Sequence, residues 1–466
     1  MKKLLSLAVC LSLLSTQAGA ENPLVVVTSD FQTGSIALLD PGAVAARTDL
    51  LTIHSDAVVR YYQGRVFVIN RLGQDNILVL DPAAPSTPLL QFSVGNGSNP
   101  QDIEFASAQK AYVSRNNSTS VLIVDPRDGS SLGEIDLSAF ADADGLPELA
   151  EMALVGTRLY VACQRLDRDA GWVASESFIA AVDIATDQVV DWDSTQEGVQ
   201  GLKLQSVNPG NLIALASRLY VAQTGQYGVA DGGVEVVDLE AGRSLGLAVS
   251  EAQLQGDITA LALISPTKGY AVVSAADFSN SVRAVDLGTG QVGAPLAGHS
   301  GGYTPDIEVD GARLLVADQG TFSDPGRAGL LIYEASTGSL LAGPIGVGLP
   351  PVSIAVLADN QIIAVEEQIS ARPQQTNLGE AYPNPFNAST LIPLTLGEQA
   401  GPVSLVVYDA LGRQVRSLVA GILPAGVHAL VWDGRDDRGQ GVGSGPYLVE
   451  LRLGQWRQIG KLLLLK

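Results

Sequence analysis

Cysteine is almost missing. Of the two in the chain, Cys10 lies in an apolar N-terminal stretch, leaving Cys163 alone beyond it. A single thiol excludes an intramolecular disulfide and any cysteine-rich metal site, so stability has to come from packing. Cys163 follows Val161-Ala162 at a strand end and reads as a buried, inert thiol. Positive charge is also scarce: 28 basic residues, only seven of them lysine, stand against 49 acidic ones, for a net charge of −21. That balance repels polyanions and excludes nucleic acid as a partner. After the first twenty residues no stretch approaches the length of apolar chain that a bilayer requires, so no transmembrane segment is expected. Metal-binding helix motifs, glycine-rich phosphate loops and a Gly-x-Ser-x-Gly elbow are all lacking. Charged residues make up only 17% of the chain against 46% apolar ones, which excludes a disordered chain.

The first residues have the form of a leader. Lys2 and Lys3 precede the apolar run 4–14, and Ala18-Gly19-Ala20 supplies the small residues of a cleavage site. The reading is a signal peptide over 1–20, with a mature chain starting near Glu21 in a non-cytosolic compartment. A lipoprotein anchored at Cys10 is the weaker reading, because Val9 is bulky and the apolar stretch before it is short.

What the sequence does contain is a repeat. About every 49 residues a short apolar strand is followed, after a variable gap, by a second strand ending in an apolar residue and aspartate. Examples are Val66-Phe67-Val68-Ile69 with Val79-Leu80-Asp81, and Leu219-Tyr220-Val221-Ala222 with Val236-Val237-Asp238. Fifty glycines and 23 prolines suit many short strands joined by tight turns. A third strand precedes most copies and a more polar fourth follows, giving the order inner, second, third, outer. Such a unit buries both faces only when neighbours stack around an axis, so the expected fold is all-β: a seven-bladed β-propeller over 21–368. The chain starts on a second strand at Leu24 and finishes the pattern on an inner one at Val352 to Val356, so the two are expected to share one blade. Six or eight blades stay open, since Ile362-Ile363-Ala364-Val365 has no place in the pattern. The recurring aspartate reads as a turn former that accepts local backbone hydrogen bonds, and Tyr112, Tyr160 and Tyr220 read as blade-packing residues.

Two classes of loop share one face of such a ring: outer strand to next inner strand, and second strand to third. The first class places Asp102, Glu148, Asn211, Asp257 and Asp306 at the start of inner strands. As a ring of oxygen ligands near the axis they are a candidate cation site, calcium in particular. The competing reading is that they cap strands and line a water-filled channel. Arg71, Arg115 and Arg165 follow second strands, and with Asn117, Trp172, Tyr227, His299 and Tyr303 they form a candidate binding face for an anionic sugar, a peptide carboxylate or a protein. Surface arginines at turns are the plain alternative.

Leu159-Tyr160-Val161-Ala162 and Leu219-Tyr220-Val221-Ala222, each with its Val-Asp end, resemble the YVTN-type and related secreted propellers. That superfamily includes surface-layer modules, lactonase-like enzymes and redox enzymes. The resemblance therefore implies a fold and leaves function open; the histidine-rich copper or haem ligation of its redox members is not present here.

Near Ala371 the repeat stops. After a polar linker, 369–379, a different strand pattern occupies 380–466 and reads as an immunoglobulin-like β-sandwich of about 85 residues. Tyr382-Pro383-Asn384-Pro385-Phe386-Asn387, Val407 to Gly412-Arg413, Trp432-Asp433-Gly434 and Ser444-Gly445-Pro446-Tyr447 resemble the C-terminal sorting domain of type IX secretion cargo. They equally resemble the immunoglobulin-like domain of flagellar hook-capping proteins. The resemblance implies entry to the periplasm, passage across an outer membrane with the help of its secretion machinery, and a secreted or cell-surface address. An accessory domain that only braces the propeller is the bland alternative. The expected function is a secreted or displayed propeller that binds a protein or glycan; a lactonase-like hydrolase with a site in the axial funnel, or a structural surface protein, are the alternatives.

Overall fold

The computed structural model describes residues 21–192 and 198–358, and beyond them 376–379, 381, 384–387, 390–396, 402–409, 411–422, 426–453 and 456–465. The leader over 1–20, the strand at 362–365 and most of the expected linker lie outside the described residues. The chain divides into two compact units between Ile362 and Ile363.

In the first unit, seven antiparallel sheets are each built on four strands. Blade 2 (Ala57–Tyr62, Arg65–Asn70, Asn76–Leu80, Leu90–Ser93) shows the pattern, and blade 3 begins at Pro100–Ser107. Blades 4, 5, 6 and 7 begin at Leu149–Val155, Pro209–Leu215, Asp257–Ser265 and Ile307–Asp310. Each of these first strands contacts the first strands of the blades on either side, in cyclic order. Blade 1 closes the ring. Its inner strand Pro351–Val356 pairs with the N-terminal strand Leu24–Ser29, with Leu24 opposite Val356 and Val26 opposite Ile354. That strand continues to Gly34–Leu39 and Thr52–Ile53.

The packing explains why both faces of each sheet are apolar. Buried clusters form between blades: Phe67, Ile69 and Val79 of blade 2 pack with Ile103, Phe105 and Val113 of blade 3. Leu24 and Val26 pack with Leu315 and Leu330 of blade 7. The second-strand tyrosines extend this packing, since Tyr112, Tyr220 and Tyr270 donate from their hydroxyls to Asp187, Pro266 O and Ala335 O of the following blade at 2.6, 2.7 and 2.9 Å. Cys163 is fully buried, and burial pushes its thiol up to about 12. The repeated aspartates form turns: Asp286 accepts from Gly288 N and Thr289 N at 3.0 and 2.9 Å, and Asp183 and Asp238 do the same.

The second unit is a sandwich of a three-stranded sheet and a four-stranded sheet, the latter in the order Gln414–Ile422, Pro402–Asp409, Gly445–Leu453, Trp456–Leu464. Its core centres on Trp432, fully buried between Phe386 and Tyr447 at ring separations of 5.5 and 4.9 Å. The motif residues have structural duties here. Trp432 Nε1 donates to Arg435 O, Asn384 exchanges hydrogen bonds with Lys461 O and Leu463 N, and Asp409 caps the turn at Gly412-Arg413. Asp433 accepts from Arg435 N, and Gly434 takes a φ of 65°, where glycine is favoured. Pro385 joins Asn384 to the bridged Phe386, and Pro383 is outside the described residues. No helix among the described residues is long and apolar enough to cross a membrane.

Candidate functional site

Inner strands of neighbouring blades do not pair as sheets, so side chains stitch them. Asp102 of blade 3 accepts from Met152 N of blade 4 at 3.0 Å, and Glu151 of blade 4 accepts from Leu212 N of blade 5 at 3.1 Å. Asn211 of blade 5 accepts from Leu261 N of blade 6 at 2.9 Å. Asp306 of blade 7 accepts from Ile354 N of blade 1 at 2.7 Å, and Ser353 Oγ of blade 1 accepts from Val59 N of blade 2 at 3.3 Å. Arg60 of blade 2 then donates to Asp102 at 2.8 Å. Within blade 6 the residue that precedes Leu261 is Ala260, which has no polar side chain to offer blade 7.

These residues gather acidic groups on the inner strands around the ring. Glu104 and Glu308 project beside Asp102 and Asp306, and the charges of blades 2, 3, 4 and 7 act on one another across the ring. Burial pushes Glu104 up to about 8, with Asp102 adding to it, and Glu308 up to about 8, with Asp306 adding to it. Burial likewise raises Glu151 to about 7 and Asp306 to about 6. Arg60 is held protonated, chiefly by Asp102. One guanidinium thus serves five carboxyl groups, several of which keep a proton near neutral pH.

The five residues expected to form one oxygen ring do not come together. Asp102, Asn211 and Asp306 belong to the inter-blade stitches. Glu148 is buried above blade 4, where it accepts from Leu166 N at 3.0 Å and neighbours Asp142 and Asp144. Asp257 accepts from Gly228 N at 2.9 Å in the loop of blade 5. Glu148 and Asp257 stand three residues ahead of Glu151 and Ala260, the positions in blades 4 and 6 that match Asp102, Asn211 and Asp306, so they fall off the stitching position. Arg60, Glu104, Glu151 and Glu308 escape a reading based on loops. Their signal is a charged residue inside an otherwise apolar inner strand.

The expected binding face divides by chemistry. Its arginines turn inward. Arg71 pairs with Asp56 and reaches Gln101 at 3.2 Å, and Arg115 is buried against Ser120, Glu134 and Val94 O. Arg165 donates to Glu176 O at 2.7 Å and lies over the Phe178 ring. Asn117 holds Gly97 O. His299 is buried, 2.7 Å from Thr304 Oγ1, and burial depresses its imidazole below the usual range.

The apolar side chains stay out. Six of the seven loops from second to third strand carry at least one large exposed apolar residue: Phe31, Leu72, Trp172, Tyr227, Phe278 and Phe322 in blades 1, 2, 4, 5, 6 and 7, with Val173 and Val229 beside Trp172 and Tyr227. Tyr303 joins them from the loop entering blade 7. Their exposures run from 51% for Tyr303 to 108% for Phe322. Tyr227 stacks on Phe278 at 5.9 Å and 15°, with its hydroxyl 2.6 Å from Ser274 Oγ. Four of the six loop tips adopt left-handed backbone: Phe31 at φ 66°, Leu72 at 39°, Trp172 at 67° and Phe278 at 64°. Bulky residues pay about 1–2 kcal/mol there, and none of these recovers it by burial. Phe31, Leu72 and Phe278 are absent from the sequence reading, although one apolar residue in each polar turn, in the same slot of successive repeats, marks them.

The FlgD Ig-like domain model matches residues 386–454. No curated protein matches the chain significantly. Among solved structures, hydrazine synthase of Kuenenia stuttgartiensis is 14% identical at a TM-score of 0.49, over 66% of this chain and 92% of that one. PorZ, a surface component of the type IX secretion system of Porphyromonas gingivalis, is 14% identical at 0.42, over 94% and 64%. AztD of Citrobacter koseri is 12% identical at 0.43, over 72% and 98%. The ring and its closure rest on the strand pairing of this chain itself.

Proposed function

We propose that the chain is an exported propeller that binds a protein through the crown of apolar loop tips. The observation that carries this is the recurrence of an unburied large apolar residue in the loop from second to third strand of six blades, conformationally costly in four of them. Turns that served only to reverse the chain would place glycine or asparagine at such a φ. A wide rigid ring holds the tips apart at fixed spacing, which suits a protein surface better than a single sugar ring. The leader pattern supports export, and the immunoglobulin-like domain supports a part for 380–466 in reaching or holding an outer-membrane or secreted address. Fractionating cells that express the full chain and a chain lacking 380–466 tests the address: retention of the shortened chain in the periplasm is expected, and identical distribution overturns that part.

The binding face is tested by placing a photo-crosslinking residue at Phe278 and, as a control, at Leu132 on an outer strand, which is also exposed. A discrete adduct is expected from the first site only. Phe31→Asn and Trp172→Asn should each reduce its yield at least tenfold while leaving stability equal or higher by about 0.5–1 kcal/mol, since asparagine tolerates this backbone. Equal adducts from both sites, or a loss of stability matching the loss of yield, would sink the reading.

One observation favours a second reading, hydrolysis within the channel. Burial raises Glu104 and Glu308 to about 8, a range in which a carboxyl group can serve as a general acid. Turnover of lactone or glycoside substrates that is abolished in Glu104→Gln would establish it.

A further inference from the structure

The apolar tips of the crown are accompanied by charge of one sign. Five of the six have an exposed aspartate within four residues: Asp30 beside Phe31, Asp169 near Trp172, Asp231 near Tyr227, Asp277 beside Phe278 and Asp324 near Phe322. The sixth tip, Leu72, is followed by Asp75, which is buried and accepts from Gly97 N and Asn99 N at 2.7 and 2.9 Å. Basic side chains do not answer them. Among the described residues of the seven loops from second to third strand, Arg327 is the one exposed basic residue, whereas Arg71, Arg165 and Arg168 are half-buried and Arg168 pairs with Glu148 at 3.3 Å. Three of the aspartates also hold their own turns. Asp30 Oδ1 accepts from Gln32 N and Thr33 N at 2.9 and 2.7 Å, Asp231 Oδ1 from Gln226 N at 2.9 Å and Asp277 Oδ1 from Ser279 N at 3.0 Å. Hydrogen bonds from Thr33 and Gln32 hold Asp30 below the usual carboxylate range, and those from Ser279 do the same for Asp277. Asparagine would form such turns equally well, so the charge is surplus to the local fold.

We infer that the crown's partner is a protein surface that sets lysine or arginine beside apolar side chains, the aspartates meeting its cations and the tips its apolar groups. What this adds to the crown's role as the binding face, on which it rests, is the sign of the partner's charge. An anionic bilayer, the other broad surface that takes up exposed aromatic tips, is repelled by the same carboxylates. The loops of blades 2 and 3 bring no exposed aspartate, so the cationic part of the partner lies over the arc of blades 4, 5, 6, 7 and 1. Charges at the rim of an interface act through long-range attraction that salt screens, whereas apolar contact is not weakened by salt, and the two contributions separate on that basis.

The full chain with a photo-crosslinking residue at Phe278 tests this, irradiated in an extract of the cells that produce it at about 20 mM and about 500 mM sodium chloride. The yield of the protein adduct should fall about fivefold at the higher salt. At the lower salt Asp30→Asn/Asp169→Asn/Asp231→Asn should lower it by about the same factor and flatten the salt response to about twofold or less. Asparagine keeps the Oδ1 acceptor, so the urea midpoint of this variant should match the parent; if it does not, the parent's salt response still decides. Asp128→Asn/Asp238→Asn/Asp286→Asn neutralises three turn carboxylates at the opposite rim and should keep the parental yield, which separates a local effect from that of the net charge of −21. Mapping of the adduct should place lysine or arginine within a few residues of the crosslinked position. A yield that holds or rises at the higher salt, an equal loss in both triple variants, or an acidic mapped segment overturns the inference and leaves the crown as the binding face. No adduct under any condition, or an adduct with lipid, overturns both.

Discussion

A Glu104→Gln, Glu308→Gln double variant will unfold at a higher temperature than the parent near pH 8, and at about the same temperature near pH 5. In the folded ring burial holds both carboxyl groups up to about 8, against an ordinary value of 4.5 in the unfolded chain. Between those values the unfolded chain has released protons that the folded ring keeps. The native state binds more protons there, so stability falls as pH rises through the window and the loss is complete above about pH 8. Glu151 and Asp306, raised to about 7 and about 6, add to the lower part. Glutamine removes the titration and keeps the shape. With Arg60 weakening the penalty, each substitution should contribute about 1–2 kcal/mol near pH 8. Urea midpoints across this range measure it. The slope should flatten without vanishing, because burial also raises Glu148 and Glu251 to about 7. A parent that gains stability from pH 5 to pH 8 would falsify the account.

Two residues before Glu104 on the same strand, Asp102→Ala should have the opposite effect. Asp102 has no exposed surface and accepts from Arg60 Nε at 2.8 Å, Ile103 N at 2.8 Å and Met152 N at 3.0 Å. Truncation leaves an arginine without its contact partner and two amides unsatisfied, and cuts two of the stitches between blades. The expected loss is about 3–5 kcal/mol, read as a lowered urea midpoint at pH 7. Asp102→Asn, which retains an acceptor for the amides, should lose about half as much. Similar midpoints for Asp102→Ala and Glu104→Ala would show that the two carboxylates play one role, contrary to the geometry.

The contrast marks what could be read from sequence. The sheets, their strand order and the shared blade follow from strand periodicity, because a face buried against a neighbour must be apolar at every repeat. Leu24 and Val356 meet for that reason. The turn role of the Val-Asp ends is equally local, since an aspartate bonds amides two and three residues away. The site is less legible. Glu148 and Asp306 both start an inner strand in the sequence pattern, yet Glu151 takes the position in blade 4 that Asp306 takes in blade 7, and Glu148 is buried ahead of it in a loop beside Asp144. Their fates depend on loop length and on the partners met across the ring. Arg115 likewise reads as a surface charge until Glu134 and Val94 O are seen around it. The crown was only partly legible, through Trp172, Tyr227 and Tyr303, because a lone exposed phenylalanine in a turn carries no meaning until its counterparts in other blades are aligned with it.

The pairing of Leu24–Ser29 with Pro351–Val356 also sets an order of events. Leu24–Ser29 can pair at once with Gly34–Leu39, but its second hydrogen-bonded neighbour is made more than three hundred residues later. Until then one edge of an apolar strand stays open, and loop closure over that span makes the final step slow. Anything that keeps the chain extended while it moves, N-terminus first, through a narrow passage therefore works with this topology: the barrel-stave that locks the circle cannot drop into place before the whole circumference has arrived.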